Sequence, residues 1–477
     1  MDGFGKHCLM PRPDTASEDL VAELTSVVGA VHVLSDPEVR APFEQDWTRR
    51  FGGPSLLVVR PGSTAEVAGV VRACASAQVP IIPQGGNTGL VGGGVPGPAR
   101  SDTPAPVVLS TSRLTHLERV DRVAAQVTAG AGVPLARLQA AAAEAGLNFP
   151  VDLAARDSAT VGGMVATNAG GLHVLRYGSM RTQVLGVEAV LASGEVISRL
   201  SGLVKDNTGY ELSQLVVGSE GTLAIVTAAR LRLVPRHDER VVALLGLPGT
   251  AEALDVLAIL RGRVEGLQAA ELFYQDGLEL VCAHGGLAGP LALAWPAYLV
   301  VECAGLVDPS ESMFEVLSEL ELPDAATAVA TDASGQARLW AYRERHTEAI
   351  SALGVPHKLD VTLPQSRLAE FEVAVRKVVA DAAPDSRLVL FGHVGDGNLH
   401  VNVVGPDPDD ETVDDAVLRL VADMHGSISA EHGVGRAKNR WLHLSRSQSE
   451  LATMRAVKSA LDPEGLLNPG VLFDTHG

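Results

Sequence analysis

Pro83-Gln84-Gly85-Gly86-Asn87-Thr88-Gly89-Leu90-Val91-Gly92-Gly93-Gly94 decides how the N-terminal half of this chain is read. The run follows Val79-Pro80-Ile81-Ile82, an apolar stretch that predicts a strand, and glycines just beyond a strand leave backbone N–H groups open to a phosphate. Gly85, Gly86 and Gly89 are not spaced as G-x-G-x-x-G, and G-x-x-x-x-G-K-[ST] occurs nowhere, so neither a Rossmann fold nor a P-loop is indicated. Upstream, Leu56-Leu57-Val58-Val59 predicts another strand. Ser63 and Glu66 then have capping-box spacing for a helix over 64–77, with an apolar face of Val67, Val70, Val71 and Cys74. The unit is strand, helix, strand, glycine loop.

Further strands are predicted at 107–110, 125–129 and 184–192 around a helix at 134–145, so this half reads as α+β. Three more flexible loops follow: Thr160-Val161-Gly162-Gly163, Thr167-Asn168-Ala169-Gly170-Gly171 and Gly218-Ser219-Glu220-Gly221-Thr222-Leu223. Any one of them alone would serve equally as a surface turn. Together they cost conformational entropy unless backbone must lie close against a ligand, and one long cofactor shared by all is the economical reading. Near residue 237 the texture changes. Strands at 241–247 and 298–302 then alternate with helices near 251–261, 310–320 and 366–382, and Ser447 with Glu450 opens a last helix to Leu461. The expected division is 1–237 (core 54–236), 238–425 and a C-terminal segment 426–477.

The chain has 477 residues, enough for several domains at roughly 100–200 residues each, and its 46% hydrophobic content excludes disorder as the main theme. Lys and Arg number 38 against 57 Asp and Glu, and a net charge of −19 repels nucleic acid and anionic lipid. Cys8, Cys74, Cys282 and Cys303 form no C-x-x-C pair, so a reducing, cytoplasmic setting is expected. The apolar stretch 290–306 carries two prolines and Glu302 and is too short to span a bilayer, and residues 1–13 lack an apolar signal core.

Phe391-Gly392-His393-Val394-Gly395-Asp396-Gly397-Asn398-Leu399-His400-Val401-Asn402 predicts two strands around a glycine turn. Alternation puts Asn398, His400 and Asn402 on one face. Ser429-Ala430-Glu431-His432-Gly433 adds a carboxylate beside a third imidazole. Two His and one Glu with an open position form a catalytic pattern for zinc or a similar divalent ion, and a further His supplies a general base. Asp396 reads as a turn residue, and Asp360 is placed outside the site. On a predicted helix, Arg343 and Thr347 are four apart and share one face; with Lys358 they concentrate positive charge for an anionic substrate.

The glycine loops, with Lys205-Asp206-Asn207-Thr208-Gly209-Tyr210, resemble the FAD-binding domain of the vanillyl-alcohol oxidase and p-cresol methylhydroxylase superfamily. The C-terminal motifs resemble its FAD-linked 2-hydroxy acid dehydrogenases, which include D-lactate dehydrogenases and the flavin subunit of glycolate oxidase. The set Arg343, Thr347 and Lys358 resembles the D-2-hydroxyglutarate branch. The resemblance implies an α+β fold: a two-part FAD-binding domain of the p-cresol methylhydroxylase type, an α+β substrate cap, and a C-terminal segment that packs back and completes the site.

It implies FAD with its pyrophosphate on Gln84, Gly85, Gly86, Asn87, Thr88 and Gly89. Further contacts would come from Gly162, Gly163, Thr167, Asn168, Gly170, Gly171 and Glu220, with the adenine end near Gly221 to Val226 and Asn468 near the flavin ring. The first loop offers no histidine for a covalent tether, so the flavin is expected to be non-covalent. The resemblance assigns His393, His400 and Glu431 to a divalent metal (zinc, with manganese or cobalt as alternatives), and His432 to the base. Arg343, Thr347 and Lys358 would hold a distal carboxylate and Asn402 would face substrate. The implied acceptor is an electron-transfer flavoprotein, and a homodimer is allowed.

The implied reaction is oxidation of D-2-hydroxyglutarate to 2-oxoglutarate; D-lactate, D-malate or glycolate would need the same mechanism. Two other classes stay open at this point: a metal-dependent hydrolase, which leaves the glycine loops unexplained, and a non-catalytic flavoprotein.

Overall fold

A computed structural model describes residues 15–99, 101 and 103–473, with backbone alone for 15–17, so the reading of residues 1–13 and Cys8 lies outside the described residues. Among those described, three larger sheets and a two-stranded ribbon form. The first sheet runs in the order Val33–Leu34, Leu57–Val59, Val107–Ser110, Ile81–Gln84, with its last three strands parallel. Parallel neighbours need a crossover, and the helix Thr64–Ser76 supplies it between the second and fourth of these strands in space. Its Val67, Val70, Val71 and Cys74 are fully buried against Leu57, Val59, Ile81 and Val107. Ser63 caps the helix by accepting from Glu66 N (3.2 Å), but the Glu66 carboxylate takes Gly62 N (2.7 Å) and not Ser63 N, so the predicted box is half formed.

The second sheet is antiparallel, in the order Gln126–Gly130, Ala224–Arg232, Val184–Leu191, Val196–Ser198. Helices Leu135–Glu144 and Val161–Thr167 pack on it.

The third sheet has seven antiparallel strands in the order Thr327–Ala330, Glu239–Leu247, Ala297–Gly305, Leu267–Tyr274, Arg387–His393, Asn398–Val404, His357–Thr362. Successive residues face opposite ways: Val241, Ala243 and Leu245 enter one core and Val242 and Leu244 the other. Helices Thr250–Arg263, Ser310–Glu319, Leu368–Ala382 and Thr412–Asp423 cover the first face. Gln275–Gly285, Ala333–Glu344 and His346–Ser351 cover the second. Coverage of both faces is why stretches such as 241–247 and 297–301 read as apolar runs, and why an ionised residue within a covered strand, such as Glu271, stands out.

The helix Gln448–Leu461 starts with the complete capping box predicted: Ser447 N donates to Glu450 Oε2 (2.8 Å) and Glu450 N to Ser447 Oγ (3.3 Å). Ser447→Ala should cost about 1 kcal/mol, read as roughly fivefold faster amide exchange over the first helical turn. Beyond the helix the chain returns to the first sheet, where Leu466 and Leu467 are buried and Leu467 bridges in parallel to Ile81. No disulfide joins Cys74, Cys282 and Cys303. Among the described residues no helix is long and apolar enough to cross a membrane.

Candidate active site

The loop after Ile81–Gln84 is wedged among the other glycine loops. A Cβ on Gly86 would lie 1.8 Å from Ser158 O, and one on Gly85 2.6 Å from Thr160 Oγ1. Gly93 sits beside the Glu220 carboxylate, and Gly221 (φ 72°) against Pro83 and Asn468. Asn468 Nδ2 donates to Gly93 O (2.8 Å) and Glu220 O (2.7 Å), tying the C-terminal segment into the same cleft. Four non-glycine residues here take left-handed backbone: Asn87 (54°), Asn168 (51°), Glu220 (52°) and Asn468 (46°). Such conformers cost energy and gather at binding sites.

Many predicted cofactor side chains instead brace the loops. Gln84 Nε2 donates to Phe43 O and Gly94 O, Asn87 Nδ2 to Gln45 O, and Thr167 Oγ1 to Gly163 O. Trp47 Nε1 donates to Thr88 O. Asn168 Oδ1 accepts from Ser179 Oγ and Arg181 N. Glu220 accepts from Val434 N and Gly435 N (both 2.8 Å), and burial still pushes its carboxyl above the ordinary value. Gly162 is small because Ala131 lies against it, Gly171 because Asp152 O does, and Val226 packs in the second core. That leaves the ligand to backbone and to a few side chains. Thr160 Oγ1, Ser219 Oγ and Asn468 Oδ1 are buried without hydrogen-bond partners, and a Cβ on Gly89 would meet nothing within 4 Å. Buried polar atoms without partners are rare unless a ligand serves them, so these residues fit a flavin dinucleotide.

The hairpin Arg387–His393 and Asn398–Val404 forms as predicted, with Asp396 as its turn residue accepting from Asn398 N (3.1 Å). Burial raises the Asp396 carboxyl to about 6. The following loop runs beside the sheet edge through a bridge of Ser427 to Thr362 and brings Glu431 over the hairpin. Glu431 Oε1 then lies 3.6 Å from His393 Nε2, 4.0 Å from His400 Nε2 and 3.8 Å from His432 Nε2. Three imidazole nitrogens around one carboxylate oxygen form a donor set suited to a divalent ion. Asp360, His400, Glu431 and His432 also present ligand atoms within 4.8 Å of one another. Against burial, His393 and His432 hold the Glu431 carboxyl down to about 2. Burial keeps His432 below the ordinary imidazole value despite Asp360 and Glu431.

Asp360 corrects the sequence reading: it stands at the centre of the cluster. Directly opposite His400 in the sheet, it lies 3.3 Å from His400 Nδ1 and 3.7 Å from His432 Nδ1. Its Oδ2 accepts the backbone N–H of Ala430, Glu431 and His432 at 3.1, 2.8 and 2.9 Å. Glu271, which the motifs do not mark, plays the matching part on the other side: directly opposite His393, it takes His393 Nδ1 at 2.5 Å. Carboxylates behind imidazoles fix which ring nitrogen faces a metal.

Arg343 and Thr347 lie in two successive helices, on either side of Arg345. Ala333–Glu344 ends at Arg345, and His346–Ser351 starts anew with His346 turned inward between Phe273 and Phe391. Arg343 is buried, donating Nε to Glu271 Oε2 (2.7 Å) with its guanidinium 4.4 Å from the Phe391 ring centre, whereas Thr347 is exposed. Lys358 pairs across the sheet with Asn402, on the face of Asp360 and His400, and its Nζ lies 5.1 Å from the Trp47 ring centre. The structure thus brings Lys358, Asn402, His400, His432 and Glu431 together. Gly170 joins them to the flavin loops: a Cβ there would lie 2.7 Å from Glu431 Oε2.

Residues 55–199 match the family described as "FAD binding domain", and residues 236–472 match "FAD linked oxidases, C-terminal domain". D-2-hydroxyglutarate dehydrogenase of Xanthomonas citri pv. viticola is 40% identical over 468 residues, covering 96% of this chain and 97% of that protein. The mitochondrial D-2-hydroxyglutarate dehydrogenase of Bos taurus is 39% identical, covering 96% and 84%. Among solved structures, p-cresol methylhydroxylase aligns with a TM-score of 0.76 at 15% identity, covering 98% of this chain and 99% of that one. The 4-ethylphenol oxidase of Gulosibacter chungangensis aligns at 0.73 and 18%, covering 97% and 98%. These likenesses carry the fold, which is that of the p-cresol methylhydroxylase type. With flavin loops and a histidine–carboxylate cluster meeting at Gly170, and identity of this extent, the chain belongs to the D-2-hydroxyglutarate dehydrogenase family of FAD-linked hydroxy acid oxidoreductases.

Proposed function

We propose that this protein oxidises D-2-hydroxyglutarate to 2-oxoglutarate. The observation that carries the reading is the placement of Lys358 and Asn402 on one sheet face with His400, beside His432 and Glu431. FAD, when bound, accepts the C2 hydride, and a divalent ion, when bound, acidifies the C2 hydroxyl. His393, His400 and Glu431 would hold the ion, with zinc preferred over manganese or cobalt, and the loops at 84–89, 162–171 and 219–221 with Asn468 would hold the flavin without a covalent bond. His432 Nε2 takes the hydroxyl proton, and Asp360 behind Nδ1 steadies the imidazolium that results. Lys358, with the part of the Arg343 guanidinium not engaged by Glu271, attracts the distal carboxylate, and Asn402 orients the chain between. Thr347, exposed on the next helix, is the third residue proposed for the distal carboxylate. An electron-transfer flavoprotein as acceptor, a homodimer, a cytoplasmic setting and the division at residues 237 and 425 complete the proposal.

The test is the visible flavin spectrum of the metal-loaded protein, without oxygen, on adding D-2-hydroxyglutarate or D-lactate. Much faster bleaching by the diacid is expected; bleaching by lactate alone would overturn the substrate. Lys358→Ala should raise the apparent KM for the diacid about 10–100-fold, the value of a hydrogen bond to a charged group, while D-lactate is little affected. Equal losses on both substrates would remove the reason for assigning Lys358 to the distal carboxylate.

A further inference from the structure

We propose that Glu271 is a positioning residue that sets the spacing between the ion-binding cluster and Arg343, and so selects the chain length of the diacid. The inference rests on the dehydrogenase reading above and adds the element that measures the substrate.

Glu271 lies in the strand Leu267–Tyr274, among Ala269, Ala270, Leu272 and Phe273, and is wholly buried. A carboxylate in such a place is retained only if both oxygens are well paired. They are, and by two different elements. Oε1 takes His393 Nδ1 from the neighbouring strand (2.5 Å), and Oε2 takes Arg343 Nε from the covering helix (2.7 Å). Each partner then reaches onward. His393 Nε2 faces Glu431 Oε1 at 3.6 Å, while the Arg343 guanidinium lies over Phe391, whose ring centre is 5.0 Å from that of His400. A two-armed carboxylate and one aromatic ring therefore stand between the ion ligands and the guanidinium.

The spacing is rigid for a backbone reason as well. Glu271 is directly opposite His393, and Phe391 directly opposite both Phe273 and His400, so the strands cannot slide without moving both arms. Arginine suits this place because its fork can give Nε to Glu271 and keep its remaining N–H groups for a substrate carboxylate. A lysine has one nitrogen for both tasks. A D-2-hydroxy diacid held at C1 and C2 by the ion cluster would meet Arg343 at one chain length only.

Three variants test this in the flavin-loaded protein: Glu271→Gln, Glu271→Asp and Arg343→Lys. Two quantities are read: Zn2+ affinity by calorimetry, and kcat/KM for the four-, five- and six-carbon D-2-hydroxy diacids. Glutamine keeps the shape but turns a donor toward a donor. Glu271→Gln should therefore weaken Zn2+ binding about 10–100-fold and flatten the preference for the five-carbon acid at least tenfold. Glu271→Asp keeps the charge on a shorter arm, so Zn2+ binding should recover while the preference stays flat. Arg343→Lys should flatten the preference and leave Zn2+ affinity within a few fold, which keeps the test alive if Glu271→Gln folds poorly. Weaker Zn2+ binding with an unchanged chain-length preference would overturn the proposal, as would a lowered Tm with both quantities unchanged. A wild-type protein bleached by none of the diacids would sink the functional reading itself, and that result is seen before any variant is made.

Discussion

Replacing His432 by alanine should lower the rate of flavin reduction by D-2-hydroxyglutarate about 10²–10⁴-fold, the usual contribution of a general base. Flavin and metal should both be retained. The backbone N–H that His432 gives to Asp360 survives the substitution, and His393, His400 and Glu431 are untouched. What disappears is an imidazole stacked on His400 (5.6 Å between ring centres), close enough to the cluster to take a proton from a hydroxyl held there. Stopped-flow bleaching without oxygen gives the rate, flavin absorbance the FAD content, and calorimetry the metal affinity. An unchanged reduction rate would show that another group is the base; a rate lost together with metal would make His432 a ligand.

Asp360→Asn should cost about 3–5 kcal/mol of stability, the range for breaking a buried charged pair. Asp360 Oδ2 alone receives three backbone N–H groups, and Oδ1 takes Asn398 Nδ2 at 2.7 Å. An amide can present one acceptor to these donors, and its own N–H2 would face them. Burial alone would raise the Asp360 carboxyl, but His432 and His400 draw it well below the ordinary value. A depressed carboxyl contributes stability that is complete above its unfolded pKa, about 3.9, and is lost as pH falls toward the folded value. The difference between wild type and variant, measured by chemical unfolding, should be full at pH 7 and shrink below pH 4. A constant difference down to pH 3 would mean that lost packing, and not the carboxylate, is responsible.

The parts of this site that are legible in sequence are those with a local cause. Gly86 is glycine because Ser158 O lies where a Cβ would be, and His393, Asp396 and His400 belong to one hairpin whose turn and alternation are written in adjacent residues. Asp360 and Glu271 escape a motif reading because each faces its histidine through strand pairing, across 122 residues in the case of Glu271. A signal was nonetheless present: Glu271 is the one ionised residue in Leu267–Tyr274, and Asp360 is a carboxylate between two apolar residues, Leu359 and Val361. Such a residue needs a partner, and unclaimed histidines elsewhere are the first place to look. The break at Arg345 had no comparable mark. No glycine or proline stands there, and the inward turn of His346 against Phe273 and Phe391 is decided by tertiary packing.

Asn468, which joins Gly93 to Glu220, also bears on the protein's biogenesis. Translation proceeds at about 5–20 residues per second, so the loop at 84–89 exists for roughly 20–80 s before Asn468 is made. Until then the flavin cleft lacks one wall, and Ile81 lacks the partner strand residue Leu467. Cofactor capture is therefore expected to be completed only after Asn468 has been made. Flavin supplied to a cell-free synthesis only after chain release should load the enzyme as fully as flavin present from the start.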